Sequence, residues 1–276
     1  MTPRARIFCA TPAYDGSLYH RFCENMIAAT LHCITKGVEI ELHVEPGSSL
    51  IQFARNRLAQ DFLNDKSYTH ILWIDSDIAF QPDAVMQLLD HGVDVCGGSY
   101  PVKQIPVWFP SVSLDGEDRT KLHRAEVLPT GFLLVSRKAM EAVAATVGTY
   151  IHHHNNQEKP TKHIFELELV GDGDVKQLLG EDVVFGHRLR AIGFDLWLDP
   201  GLTFLHWGPF TWRGCLREMV EQEAAGMIND LPAHVGPPPV PMPIPNAGGL
   251  APVVQLKRTQ LGDAITKVVN GGAACP

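Results

Sequence analysis

The stretch Thr69-His70-Ile71-Leu72-Trp73-Ile74-Asp75-Ser76-Asp77-Ile78-Ala79-Phe80 constrains this chain more than any other. Ile71 to Ile74 is an unbroken apolar run, which predicts a buried strand. The run ends in two carboxylates separated by one residue. In extended backbone alternate side chains share a face, so Asp75 and Asp77 would point at one spot past the strand end. Like charges so placed repel, and a cation between them relieves the repulsion. The carboxyl end of a parallel strand is also where open α/β sheets bind ligands. The pattern predicts a metal-assisted site for an anionic group such as a phosphate. The plainer alternative is a solvated turn, with Asp77 capping a helix that begins near Pro82.

The flanking segments predict the sheet around that strand. Ile7 to Ala10 reads as a first strand and Thr11 to Gly16 as a turn-rich loop. Tyr19 to Lys36 carries apolar residues at helical spacing, including Phe22, Met26, Ala29, Leu31 and Cys33, and Gly37 stops it. Val38 to Val44 alternates with period two, as a strand does. Ser49 to Asn64 reads as a helix with Phe53, Leu58 and Phe62 inward. Pro82 to His91 is a third helix, and Asp94 to Gly98 a short strand. This alternation implies a mainly parallel sheet with helices on its faces, a Rossmann-like α/β fold. Neither the G-x-G-x-x-G loop nor a P-loop follows the first strand, so another device must hold any phosphate.

The second half is more mixed. Val107 to Leu114, Arg124 to Leu128 and Phe132 to Val135 read as strands, and Arg137 to Val147 as a helix. Gly148 to Gly180 is polar and weakly periodic, which predicts a long functional loop or lid. Within it, His152-His153-His154 reads as a solvated or mobile loop, because three consecutive imidazoles cannot all face one ion in regular structure. Glu181 to Ile192 is an amphipathic helix with Val184, Leu189 and Ile192 inward, and Asp195 to Leu198 and Thr203 to His206 are strands. A helical stretch follows Trp212 to about Asp230. Pro237 to Pro245 predicts an extended polyproline arm, and Val253 to Val269 a small terminal helix.

With 276 residues the chain has room for one large domain with an appendage. A net charge of −8 argues against a broad basic surface for nucleic acid, although a local groove would escape that argument. The apolar stretch after the basic N-terminus is too short for a signal peptide or a membrane span, which implies a soluble cytoplasmic protein. Cys9, Cys23, Cys33, Cys96, Cys215 and Cys275 form no C-x-x-C pair and read as buried thiols in a reducing compartment.

Three further elements complete the pattern. Leu128-Pro129-Thr130-Gly131-Phe132 puts a glycine before a buried strand, where backbone can approach a ligand or simply turn. Gly180-Glu181-Asp182 opens a helix with two acids, which suits the helix dipole or a general base. Leu205-His206-Trp207-Gly208 places an imidazole after a strand, in position to complete an oxygen-rich metal site.

Taken in order, Asp75-Ser76-Asp77, Thr130-Gly131-Phe132, Gly180-Glu181-Asp182 and His206-Trp207-Gly208 resemble the GT-A glycosyltransferases, which use nucleotide-sugar donors. The resemblance spans Arg6 to Gly208. It implies a GT-A type α/β fold over residues 1–210, with 1–103 as the nucleotide-sugar half and 104–210 as the acceptor half. Residues 211–276 are then a C-terminal helical and proline-rich extension.

By resemblance, Asp77 binds a divalent ion, Mn2+ or Mg2+, with His206 as a further ligand. Asp75 touches the ribose or the metal, and Ser76 lies beside it. Thr11, Pro12 and Tyr14 match the loop that cradles the base, and Arg55 and Asn56 a segment that contacts the nucleotide. Gly97, Gly98 and Tyr100 would flank the donor sugar. Asp182 is the expected general base, with Glu181 orienting or binding the acceptor, and Thr130, Gly131 and Trp207 would line the acceptor side. The resemblance favours a UDP-sugar as donor and leaves inversion or retention open. It also leaves the acceptor open among a glycan, a protein, a small molecule, a lipid-linked sugar and a modified nucleic-acid base. Other metal-dependent phosphate chemistry, and a non-catalytic sugar-nucleotide-binding module, are the competing readings. The extension is a candidate clasp for a homo-oligomer.

Overall fold

The computed structural model describes residues 3–105, 107–154, 157–171, 174–208 and 211–226. The proline-rich run and the expected terminal helix lie outside the described residues, as does Cys275. In chain order the elements are β1 (Ala5–Ala13), α1 (His20–Thr35), β2 (Val38–Pro46), α2 (Ile51–Asn64), β3 (His70–Ile74), β4 (Ile78–Phe80), α3 (Ala84–Asp90), β5 (Val95–Gly98), β6 (Val112–Ser113), β7 (His123–Val127), β8 (Phe132–Ser136), α4 (Arg137–Thr146), β9 (Thr149–His154), β10 (Gln157–Lys162), β11 (Glu168–Val170), β12 (Gln177–Leu179), α5 (Glu181–Ala191), β13 (Leu196–Asp199), β14 (Thr203–Trp207), β15 (Thr211–Cys215) and α6 (Leu216–Ala224).

Local chemistry explains several boundaries. The Ser136 hydroxyl accepts the Ala139 N–H and starts α4. Gly37, with φ of 73°, ends α1 in the left-handed region that costs glycine little.

The central sheet has the order β2-β1-β3-β8-β5-β13-β7-β6. Its pairings set β8 and β7 against the direction of the other six strands, so the sheet is mostly parallel in sense. β5 lies between β8 and β13. The expected halves, residues 1–103 and 104–210, both contribute strands to this one sheet.

Alternation along the strands divides the core into two layers. Ile71 and Trp73 of β3, with Leu133 and Val135 of β8, pack under α2, α4, α5 and α6 beside Leu58, Phe62, Met140, Leu189 and Leu216. Leu72, Ile74, Phe132 and Leu134 face the other way, toward Phe22 and Met26 of α1 and Val85 of α3. A small sheet of order β15-β14-β4 joins that second layer through Ile78, Phe80 and Phe204.

Four expectations need correction. The polar region 148–180 is largely two antiparallel hairpins, β9–β10 and β11–β12. Their strands are mostly exposed and bury too little for apolar alternation to be visible in sequence. Phe53 is not an inner residue of α2 but sits on an exposed face against Tyr150 and His152. Residues 211–215 pair with β14, so the helix after Trp212 begins only at Leu216. The strand β4, absent from the sequence reading, follows the Asp-Ser-Asp turn at once. The five described cysteines are free, and Cys9, Cys33, Cys96 and Cys215 are buried. Burial pushes the Cys9 and Cys33 thiols up to about 12, so these two are inert packing groups. No helix among the described residues is long and apolar enough to cross a membrane.

Candidate functional site

At the carboxyl edge of β1, β2 and β3 lies a cleft of about 300 Å³. Its walls include Pro12, Tyr14, Asp75, Ser76, Asp77 and His206, all expected from sequence. Glu45, Ser48 and Ser49, from the end of β2 and the loop after it, also line it. These three escaped the sequence reading, although β2 runs parallel to β1 and its end must border the same crevice. Gly47, at φ of 77°, donates its N–H toward the carbonyls of Ala13 and Tyr14, which ties the two loops together.

The Asp-Ser-Asp segment is not extended. The Ile78 N–H bonds the Asp75 carbonyl at 3.1 Å, closing a tight turn between β3 and β4. The two carboxylates therefore part company, and each meets a different cation. Asp75 Oδ1 accepts from Arg55 at 3.0 Å. Asp77 is ion-paired with Lys103 through Oδ2. On its other oxygen, Asp77 faces His206 Nε2 at 3.6 Å. The pairing of β4 with β14 explains this meeting, since His206 lies opposite Ile78 and the Trp207 N–H bonds the Asp77 carbonyl at 2.9 Å.

His206 is held by a contact that fixes its tautomer. Its Nδ1 lies 2.7 Å from the Pro101 carbonyl, which can only accept, so Nδ1 carries the proton. Nε2 then faces the Asp77 carboxylate, as a donor when the ring is charged and as a second acceptor when it is neutral. With the ring neutral, a cation between the two would suit both. A ring N–H donated to a backbone carbonyl is also the usual support of a metal-bound imidazole. The Asp77–His206 pair thus fits a divalent ion with oxygen and nitrogen ligands. Burial raises the Asp77 pKa, but His206 and Lys103 outweigh it and hold the carboxyl below its ordinary value. Among the described residues no three His, Cys, Asp or Glu side chains form a ready metal cage. In this structure Asp75 turns toward Arg55 instead of joining Asp77 and His206.

Arg55 is buried and bridges two elements. It binds Asp75 and also Glu181 Oε1, at 2.6 Å, from the first turn of α5. Burial opposes its charge, but the two carboxylates prevail and its pKa stays raised. Burial likewise pushes Glu181 up, with Arg55 pulling the other way. Asp182, in the first turn of α5, accepts the Val183 N–H at 2.8 Å.

Other expected contacts lie deeper than a ligand reaches in this structure. Thr11, Asn56 and Thr130 are buried. Both ends of the Asn56 amide bind the Phe165 backbone, at 2.8 and 2.7 Å. A Cβ on Gly98 would meet Phe204 Cζ at 2.5 Å, and one on Gly131 would strike the Tyr100 ring. Tyr100 itself packs edge-on to His206 at 5.1 Å. Burial drives its hydroxyl pKa well up, reinforced by Asp75. Gly131 accepts the Asp75 N–H through its carbonyl, at 3.2 Å, so the Thr130-Gly131 turn supports the site from below. Trp207 stacks at an angle with Tyr19 and His20. Lys103 had no sequence signature; it is one lysine in a loop, and only the fold carries it to Asp77.

No family model matches the chain, and no curated protein matches it. Solved structures that resemble it include A197 from STIV, at 15% identity and TM-score 0.46, with 74% of this chain and 86% of that chain covered. Another is a glycosyltransferase involved in the glycosylation of the major capsid of PBCV-1, at 15% identity and TM-score 0.30. There 50% of this chain and 63% of that chain are covered, so this chain spans less than two thirds of that protein. A putative glucose-1-phosphate thymidylyltransferase from Bacillus anthracis matches at 14% identity and TM-score 0.30, over 50% of this chain and 74% of that chain. Likeness at this level says nothing of activity.

Proposed function

We propose that this chain is a cation-dependent glycosyltransferase that moves a sugar from a nucleoside diphosphate sugar, a UDP-sugar in the favoured case, to an acceptor hydroxyl. The observation that carries the reading is the Asp77–His206 pair at the mouth of the cleft, with Nε2 of the imidazole facing the carboxylate and Nδ1 held by the Pro101 carbonyl. When bound, a Mn2+ or Mg2+ ion would supply the positive charge that stabilises a departing diphosphate.

The chain's own residues do the rest. Pro12, Tyr14, Glu45, Ser48 and Ser49 form the wall against which the nucleoside lies, and Asp75 is held in place beside it by Arg55. The cleft volume is at the lower end of the range for small-molecule sites, so part of the donor and the acceptor would extend beyond it. Asp182 is the proposed base, because an alcohol needs help to lose its proton at neutral pH. Glu181, next to it in sequence, is paired with Arg55 and raised by burial, and is the proposed group that orients the acceptor.

Product analysis tests this. Incubation with UDP-sugars, an acceptor panel and Mn2+ should release UDP together with free or transferred sugar. Release of pyrophosphate instead would assign nucleotidyl transfer and overturn the reading. Asp77→Ala should lower kcat/KM by about a hundredfold or more, the scale for losing one charge-stabilising group.

A further inference from the structure

The Lys103 ammonium sits where a cation would bind Asp77. It takes Oδ2 of the carboxylate while His206 faces Oδ1. The lysine and aspartate side chains keep 31% and 22% of their exposure, so the pair is open to exchange with solvent. The backbone just before Lys103 is tied at two points. The Pro101 carbonyl accepts from His206, and the Val102 N–H bonds the Trp108 carbonyl at 3.0 Å. From that anchor the ammonium is reached through a flexible four-carbon stem. That stem runs across Gly208, where a Cβ would lie 3.1 Å from Lys103 Cδ.

We propose that Lys103 and a divalent cation are alternative occupants of Asp77, so that arrival of the ion is what frees the Lys103 ammonium into the cleft. The inference rests on the cation reading above. At equal distance a doubly charged ion gains about twice the Coulomb attraction of a single charge, which favours exchange once its hydration cost is met. The two cations repel one another across one carboxylate and cannot share it closely. Once displaced, the ammonium stays tethered at the rim by the anchored residues before it. It becomes a mobile positive charge available to a diphosphate that enters after the ion. The protein without ion thus keeps Asp77 neutralised, and the phosphate-binding charge is exposed only when the site is loaded.

The test uses the full chain and Mn2+ alone, with no nucleotide. Free Mn2+ is counted by electron paramagnetic resonance, and the reactivity of each lysine toward an acetylating reagent is followed by mass spectrometry. Lys103→Gln should bind Mn2+ about tenfold more tightly than the unmodified chain, a difference of about 1.4 kcal/mol. Lys103→Arg should stay near the unmodified value. Acetylation of Lys103 in the unmodified chain should rise several-fold at saturating Mn2+, while other lysines do not change. Asp77→Asn should give the fast rate without the ion. Equal or weaker Mn2+ binding by Lys103→Gln, or a Lys103 rate indifferent to Mn2+, overturns the competition and leaves the cation reading standing. No Mn2+ binding by the unmodified chain or by Lys103→Gln overturns both. If Lys103→Gln fails to fold, the acetylation of the unmodified chain decides alone.

Discussion

Arg55 lies 20 residues from Asp75 and 126 from Glu181 in sequence, yet it binds both. Its side chain is 3% exposed. Removing it leaves two carboxylates without their partner in a low-dielectric setting, the costly way to break a buried pair. Arg55→Met should lose about 3 kcal/mol of stability, read from urea denaturation. Arg55→Lys should recover only part of this, because a single ammonium cannot fork to two carboxylates as a guanidinium does. In sequence, Arg55 is a cation on a helix, equally suited to a nucleotide or to solvent. Its partners are fixed by tertiary placement, and no local pattern encodes them. Asp77 and His206 were legible for a different reason: each follows or ends a strand with a clear apolar signature. Lys103 was not, because a lone lysine in a loop has no periodicity to betray it.

At the scale of elements, the turn after β3 decides the site. The sequence shows the strand and the two acids, and alternation suggests that both acids share a face. The tight turn to β4 breaks the alternation, since β4 must start at once to pair with β14. Glycine placement follows the same packing. Gly98→Ala would push a methyl into the Phe204 ring and should cost about 1–3 kcal/mol as overpacking, measured by thermal unfolding. The start of β5 carries a titratable tie. Asp94 accepts from Ser136 at 2.7 Å and from Lys138 at 2.8 Å. Burial pushes its pKa up, but these contacts prevail and its pKa is lowered in the fold. A lowered acid stabilises the fold above its unfolded value, about 3.9, and that contribution fades as pH falls through the folded value. Asp94→Asn should therefore flatten the acid limb of the Tm–pH curve below about pH 4. With Asp94 about a third exposed, its effect at pH 7 should stay under about 1 kcal/mol.

For the whole molecule, the α/β layering was legible because β1, β2, β3, β8 and their helices carry strong periodic patterns. The two hairpins of region 148–180 were not, because their exposed strands lack a buried face. Among the described residues, the two core layers draw on positions from Ala5 to Val220. The central claim is that one cation site, Asp77 with His206, holds the diphosphate of a nucleotide sugar. Calorimetric titration of UDP with and without Mn2+ tests it most directly. The account predicts binding that depends on Mn2+ and weakens at least about tenfold, or about 1.4 kcal/mol, in Asp77→Ala and in His206→Ala. UDP binding of equal strength without the ion, or unchanged in both variants, would contradict it.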